Sequence, residues 1–510
     1  MNYFCTWSVQ NYLYGCGKAD FQPEEAEGAT GAAHARANMN LENLLGEQGW
    51  ARRFYPAARG QLYFLLDDGW DVPQSADARW FGALVPDAGR FPGGPEAPWE
   101  RLSWLNQQVK EAGWRGLGLW VAAQEAPALF SAAAGDLQAQ ERYWAERMRW
   151  SERAGVEYWK VDWGAHGQDW EFRARLTRWA RQYAPHLTIE HAVCQGPVND
   201  GPDGRLREEI AGQEAHLLLE ADVLRTYDIL QPLSAAQTME RVGALLHAME
   251  GRAPKGRALI NCEDECYLAA ALGLCAGVMR HPLRGLRCKG DMDPAFPPTA
   301  DDAKLRMDEV ARLARWQSVM PPFGAAEEPV RIDRRVLRDS WRFARGETWM
   351  SDLIGQELTQ AAPARISRGA DLPTVRCEGE PPFAAASCHG DCAAIALLPR
   401  TQRRRFAPLA DVEWHLPRAV SALAVFGCYR SLRITGLGPC RVWASDLLGG
   451  PSVALPCSQG TLALSGEQIR AIGLASATPG DASAPGVRIT IEKGETLRFC
   501  SAKSCPSALA

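Results

Sequence analysis

Several features that commonly announce a function are missing from this 510-residue chain. Lys and Arg (56) do not outnumber Asp and Glu (61), and a formal net charge of -5 leaves no basic footprint for a nucleic-acid partner. The longest apolar run, around Leu268 to Met279, falls far short of the ~20 residues a bilayer requires, so no membrane partner is expected. The opening Met1-Asn2-Tyr3-Phe4-Cys5-Thr6-Trp7 has neither a cationic n-region nor an apolar h-region, and no signal peptide is expected there. Fifteen cysteines, an odd number, contain no CxxC pair; reduced thiols in a cytoplasmic protein are the expectation. Cys388-His389-Gly390-Asp391-Cys392 imitates a metal cluster, but without a second ligand pair it predicts a turn between strands. No HxH or HxxxH pair occurs, and no Gly-rich phosphate loop follows the first apolar run, which argues against an open dinucleotide-binding sheet.

What is present begins with tryptophan. Its 19 copies exceed both Phe (15) and Tyr (11), and fourteen precede residue 180. The indole offers a broad apolar face with a polar edge, which suits a sugar ring as well as a core. Up to about residue 318, short apolar runs alternate with longer amphipathic ones, the pattern of βα units. Strands are predicted at 3–7, 61–66, 116–121, 156–161, 187–192, 217–224, 257–261 and 283–288. Helices are predicted at 101–112, 137–154, 170–183, 235–250, 266–279 and 301–319, with a weaker one between 203 and 216. Eight strands, each followed by a helix, predict a (β/α)8 barrel over residues 1–320. After Pro321-Pro322 short β-type runs separated by Gly, Pro, Ser and Asp clusters predict a C-terminal antiparallel β-sandwich over 321–510. Within it, the basic run Arg400 to Arg405 reads as a solvated strand edge.

A barrel builds its active site at the C-terminal ends of its strands. The predicted ends carry Asp67-Asp68-Gly69-Trp70, Trp120, Lys160-Val161-Asp162-Trp163, Cys194-Gln195-Gly196-Pro197, Arg225-Thr226-Tyr227-Asp228 and Asn261-Cys262-Glu263-Asp264-Glu265. Asp228 and Asp264 also suit helix capping. Two carboxylates on separate strands beside indoles suit glycoside hydrolysis through an oxocarbenium-like transition state. Lys160, two residues before Asp162, shares its face of the strand and would favour an ionised nucleophile. Trp7, Trp70, Trp120 and Trp163 are the tryptophans near strand ends where a sugar could stack.

Asp67-Asp68-Gly69-Trp70, Tyr158-Trp159-Lys160-Val161-Asp162 and Arg225-Thr226-Tyr227-Asp228 together resemble the α-galactosidase clan of glycoside hydrolases (clan GH-D). Thr6-Trp7-Ser8-Val9-Gln10-Asn11, Gly113 to Trp120 and Asn261-Cys262-Glu263-Asp264 resemble further motifs of that clan in the same chain order. The resemblance implies a retaining α-galactosidase-like glycosidase with a barrel and a C-terminal β-domain. It implies that Asp162 is the nucleophile and Asp228 the general acid/base. Asp67 and Asp68 would hold sugar hydroxyls, Lys160 would bind a hydroxyl and support the nucleophile, and Arg225 would contact the sugar near its 2-position. Gln195, Trp120, Trp163 and Gln10 complete the expected substrate-contact set. Gln195 stands where many relatives carry Glu, a loss that bears on recognition of the 2-position and so on galactose specificity, and Gln10 stands where they carry Trp. The partner expected is an oligosaccharide or small glycoside, with no metal or organic cofactor; a homo-oligomer is left open. Two rival readings are a non-catalytic carbohydrate-binding protein on this scaffold and a metal-dependent hydrolase using Asp67, His166, His191 and Asp264.

Overall fold

The computed structural model describes residues 1–15, 31–73, 82–124, 136–193, 200–201, 203–225, 231–283, 306–343 and 353–493. Eight strands form one parallel sheet: β1 (Asn2–Cys5), β2 (Leu62–Leu66), β3 (Gly116–Val121), β4 (Tyr158–Val161), β5 (Thr188–Ala192), β6 (Val223–Arg225), β7 (Leu259–Asn261) and β8 (Gly277–Val278). They follow one another in chain order, with β8 hydrogen-bonded to β1. A parallel bridge between Asn261 and Cys275 joins β7 to the approach to β8 and closes the ring. Side chains alternate as the pleat requires. Tyr3, Cys5, Tyr63, Leu65, Trp120 and Tyr158 fill the barrel, while their neighbours Phe4, Phe64, Leu66, Leu119, Trp159 and Val161 pack outward under the helices.

The surrounding helices are α1 (Trp7–Tyr14), α2 (Pro98–Glu111), α3 (Leu137–Ala154), α4 (Trp170–Tyr183), α5 (Glu208–Leu218), α6 (Ser234–Ala248), α7 (Cys266–Leu272) and α8 (Asp308–Gln317). Local chemistry sets several of their ends. Asp136 and Asp169 accept from the backbone N–H groups of Ala139 and Phe172, N-capping α3 and α4. Pro98 opens α2, where a missing N–H costs nothing. Three expectations need correction. Residues 217–222 are the end of α5 and its turn; the sixth strand begins only at Val223. Trp7 starts α1 rather than ending β1. The eighth strand is 277–278, not 283–288, of which 284–288 lie outside the described residues. The cause of the last error is burial: every residue from Cys262 to His281 is buried, so the apolar run has no periodicity to separate helix from strand. The helix stops at Gly273, which adopts φ 66° and approaches Phe323 so closely that a Cβ would lie 1.9 Å from its ring.

Beyond α8 the described residues form strands apart from one short helix, Gly466–Gly473, and their connections. An eight-stranded sheet and a five-stranded sheet face each other across a shared core that includes Ile395, Leu423 and Ile489 from one and Trp414, Ile434 and Leu464 from the other. Pairing is mostly antiparallel, as expected. Parallel neighbours occur at 365–368 with 384–387, at 392–396 with 422–426 and at 411–415 with 431–435. Gly390-Asp391 forms the turn between paired strands Phe383–His389 and Cys392–Leu398, as the sequence predicts. The basic run is not uniformly solvated: Arg403 is exposed, but Arg400 is fully buried, with Nε 2.6 Å from Asp339 Oδ1.

Barrel and sandwich share a core. All seven residues of α7 are buried, and the helix packs on the strands Phe383–His389 and Cys392–Leu398. Ser387 Oγ donates to the Ala271 carbonyl at 2.6 Å, and the Arg368 guanidinium donates to the Leu272 carbonyl at 2.7 Å. These bonds satisfy carbonyls at the end of α7 that have no helical partner. Arg312 of α8 spans the seam to both oxygens of Asp446, at 3.1 and 3.3 Å. Asp481 accepts from the N–H groups of Met307 and Asp308 at 2.7 and 3.3 Å, while Asp308 accepts from Thr478 N and Oγ1 at 2.8 and 2.7 Å. The sandwich thus caps a barrel helix, and residues 478–484 form a strap across the seam. No described helix is long and apolar enough to cross a membrane.

Candidate active site

The strand ends deliver a line of buried charge to one end of the barrel. Lys160, inward-facing on β4, places Nζ 2.9 Å from Asp67 Oδ2 and 3.2 Å from Asp162 Oδ2. Burial alone would discourage its ammonium, but Asp67 and Asp162 outweigh that and hold its pKa well above the ordinary lysine value. Asp162, just past β4, also accepts from the indole Nε1 of Trp120 at 3.1 Å and lies 3.5 Å from Arg225 NH2. Its other oxygen accepts from Trp163 N at 3.0 Å. Arg225, at the end of β6 and 1% exposed, donates to Glu263 at 2.9 Å. The chain of contacts therefore runs Asp67, Lys160, Asp162, Arg225, Glu263 across four strand ends.

Asp67 and Asp68 do different things. Asp67 accepts from the Cys5 thiol at 2.9 Å, its N–H donates to Thr6 Oγ1 at 2.9 Å, and its Oδ1 accepts from Asp68 N. Asp68 pairs instead with Arg36, Nε to Oδ2 2.5 Å. Burial raises the Asp68 carboxyl to about 6 against the pull of Arg36, with Asp67 and Asp162 adding to the rise. Gln10 is fully buried, and its amide donates to the carbonyls of Asp68 and Ala35 at 3.0 and 3.3 Å. Its connection to the cluster runs through the Asp68 backbone.

The tryptophans divide as well. Trp70 is wholly buried, with Nε1 donating to the Trp120 carbonyl at 2.9 Å; it presents no face to a ligand. Trp120 is 2% exposed and acts through its indole edge on Asp162. Trp163, 41% exposed, is the residue after Asp162, and Trp7 is half-buried. Asp228 and Gln195 lie outside the described residues.

The metal-hydrolase set does not assemble. His191 is buried against Thr177 Oγ1 at 2.8 Å, and burial, with Arg173 adding, keeps it well below its ordinary pKa. His166 stacks on Phe172 with ring centroids 4.2 Å apart. Asp264 does not cap α7; at φ 57° it accepts from Met279 N and Arg280 N at 2.8 and 3.0 Å and so holds the chain after β8. Asp tolerates this left-handed conformation better than most residues. Among the described residues no group of three or more His, Cys, Asp and Glu side chains could hold a metal ion.

Three site residues escape sequence reasoning. Glu263 carried a signal, an acid at a strand end, but nothing in the sequence pairs it with Arg225. Arg36 comes from the β1–β2 connection, and Cys5 reads only as a core thiol. Below the cluster, fully buried Glu190 accepts from the hydroxyls of Tyr3 and Tyr158, both at 2.8 Å, and from Asn261 Nδ2 at 2.6 Å. This network closes the barrel under Lys160, whose strand neighbour Glu190 is.

No protein-family model matches the chain, and no curated protein matches it. Among solved structures it is similar to a GH27 β-L-arabinopyranosidase from Geobacillus stearothermophilus, at 10% identity over 96% of this chain and 96% of that one, TM-score 0.39. It is similar to a putative α-galactosidase from Bacteroides fragilis, at 12% identity over 85% and 71%, TM-score 0.34. An α-amylase from Anoxybacillus is similar at 10% identity over 97% and 98%, TM-score 0.40. Likenesses this distant carry no assignment of activity, which is argued from the site itself.

Proposed function

We propose that the protein is a retaining glycoside hydrolase, α-galactosidase-like, acting on terminal α-galactosides or a related glycoside. The observation that carries this reading is the setting of Asp162, a buried carboxylate at a barrel strand end touched by Trp120 Nε1, Lys160 Nζ and Arg225 NH2 within 3.5 Å. Two cations and an indole N–H around one carboxylate favour its anion, and the indole bond helps to fix its orientation, which a nucleophile toward an anomeric carbon needs. In this reading Asp162 attacks the anomeric carbon as Asp228 protonates the departing glycosidic oxygen. Asp228 then takes a proton from water, which displaces Asp162 and releases the sugar with net retention. Asp68, whose charged partner among the described residues is Arg36, accepts hydrogen bonds from sugar hydroxyls together with Asp67. Arg225 faces the ring near its 2-position, Trp163 and Gln195 border it, and Trp120 acts through Asp162. Gln10 supports the Asp68 backbone.

The test starts from a panel of aryl glycosides: α-galactoside, β-L-arabinopyranoside, α-N-acetylgalactosaminide and α-glucoside. Asp162→Ala should cost on the order of 10⁴-fold in turnover of the best substrate. Asp228→Ala should spare substrates with good leaving groups relative to poor ones, because only the latter need protonation. Retained turnover in Asp162→Ala sinks the nucleophile assignment; equal loss on all leaving groups in Asp228→Ala removes the acid role. No turnover of any panel member by the wild type, with sugar binding intact, favours a carbohydrate-binding protein instead.

A further inference from the structure

A second charged recess lies where the barrel meets the sandwich. It is a cavity of about 180 Å³ between the start of α7, the start of α8, the 397–408 segment and the strap. Its walls are partly apolar, with Tyr267 and Phe406 among them, and carry Arg306, Arg405, Arg470, Glu265 and Glu309. The acids are largely engaged. Glu309 is bound by Arg280 at 2.9 Å and by Arg306 at 3.3 Å, and Glu265 accepts from Ser234 Oγ. The arginines are engaged less fully, Arg306, among the described residues, through its contact with Glu309 alone. Among the described residues, no hydrogen bond or ion pair at contact distance satisfies the Arg405 guanidinium. Arg306 is 6% exposed and its buried Nε has no hydrogen-bond partner. Arg470, exposed at the rim, adds a third positive group.

A half-buried guanidinium in a recess without an acceptor gives up part of its solvation, and nothing in the described protein returns it. Burial, and then the like charge of Arg306, push Arg405 down to about 9. We propose that this seam cavity binds a small phosphate monoester, with its oxyanion between Arg405 and Arg306, Arg470 at the entrance, and its organic part against Tyr267 and Phe406. Arg is suited to phosphate because its planar fork matches two oxygens at once. The site is separate from the Asp162 cluster and does not depend on the activity assigned to it. Because both domains line the cavity, an occupant also ties them together.

Inorganic phosphate and a small sugar phosphate are the probes, with sodium chloride at matched ionic strength and the unphosphorylated sugar as controls. At a hundred times its Kd, a bound ligand should raise Tm by about 2 °C for a chain of this size. Arg405→Gln, which breaks no existing ion pair, should weaken phosphate binding at least tenfold by calorimetry. Arg470→Gln should weaken it about threefold, as a solvent-screened contact. Arg403→Gln, two residues away but paired with Glu357 on the surface, should leave it unchanged. The proposal is overturned if phosphate raises Tm no more than chloride does. It is equally overturned if Arg405→Gln binds phosphate like the wild type. Should Arg405→Gln misfold, unchanged binding in Arg470→Gln and Arg405→Ala together would decide against it.

Discussion

The protein buries charge at the barrel mouth and along the seam with the sandwich and, outside the recess at Arg405, treats it differently in the two. In the seam, Arg312 has both oxygens of Asp446, the Tyr267 hydroxyl and the Ala484 carbonyl around it. Arg368 is likewise spent on two carbonyls. At the mouth, Asp67, Asp68, Asp162 and Glu263 share three cations, Arg36, Lys160 and Arg225. Among the described residues the acids there outnumber the cations, and the Asp68 carboxyl is lifted to about 6, chiefly by burial, with Asp67 and Asp162 adding to the rise. Buried charges that saturate one another serve the fold. A surplus of one sign leaves capacity for something else, in the proposed reading acceptors for the hydroxyls of a sugar.

The sharpest way to break this comparison is Arg312→Ala. It strands Asp446 in the seam and should cost about 3–5 kcal/mol of stability, read as a loss of denaturation midpoint, while activity per folded molecule stays near the wild-type value. A comparable fall in kcat at full folding would mean that the seam is part of the working site. Asp68→Asn tests the mouth. If ionised Asp68 binds substrate, kcat/KM of the wild type should fall about tenfold per pH unit below about 6, and the variant should lack that limb. Stability moves the opposite way. A carboxyl whose folded pKa is raised contributes stability fully below its unfolded pKa and loses it as pH rises through about 6. The Tm of Asp68→Asn relative to wild type should therefore increase between pH 4 and pH 7, and a flat difference would contradict the surplus. The smallest effect belongs to the strap. Asp481→Ala removes the cap that the sandwich lends to α8 and should cost about 1 kcal/mol, without altering the pH profile.

Much of this was legible in the residues. Helices such as α3 and α4 carry an Asp N-cap and a clear amphipathic period, and they appear where those signals predict. Strand β3 does too, since Gly116–Val121 is a short apolar run of strand length. The spacing of Lys160 and Asp162 also translated directly: two residues on a strand share a face, and both contact one chain of charge. Legibility failed where burial erased pattern. Leu217-Leu218 look strand-like because the end of α5 is covered, and 266–279 is apolar and buried on every side. It failed again for the tryptophans, because sequence position near a strand end does not distinguish Trp70, sealed in the core, from Trp163, open to solvent.

Sequence by itself determined the alternation of βα units, the change to β texture after α8 and the set of acids and cations carried to the strand ends. Those are consequences of local period and spacing, which act within a few residues. Only tertiary structure decided how the charges pair. Arg36 reaches Asp68, Glu263 holds Arg225 and Asp481 caps a helix 173 residues earlier. Such partners are chosen by closure of the barrel and docking of the sandwich, contacts between positions remote in the chain that no local pattern encodes.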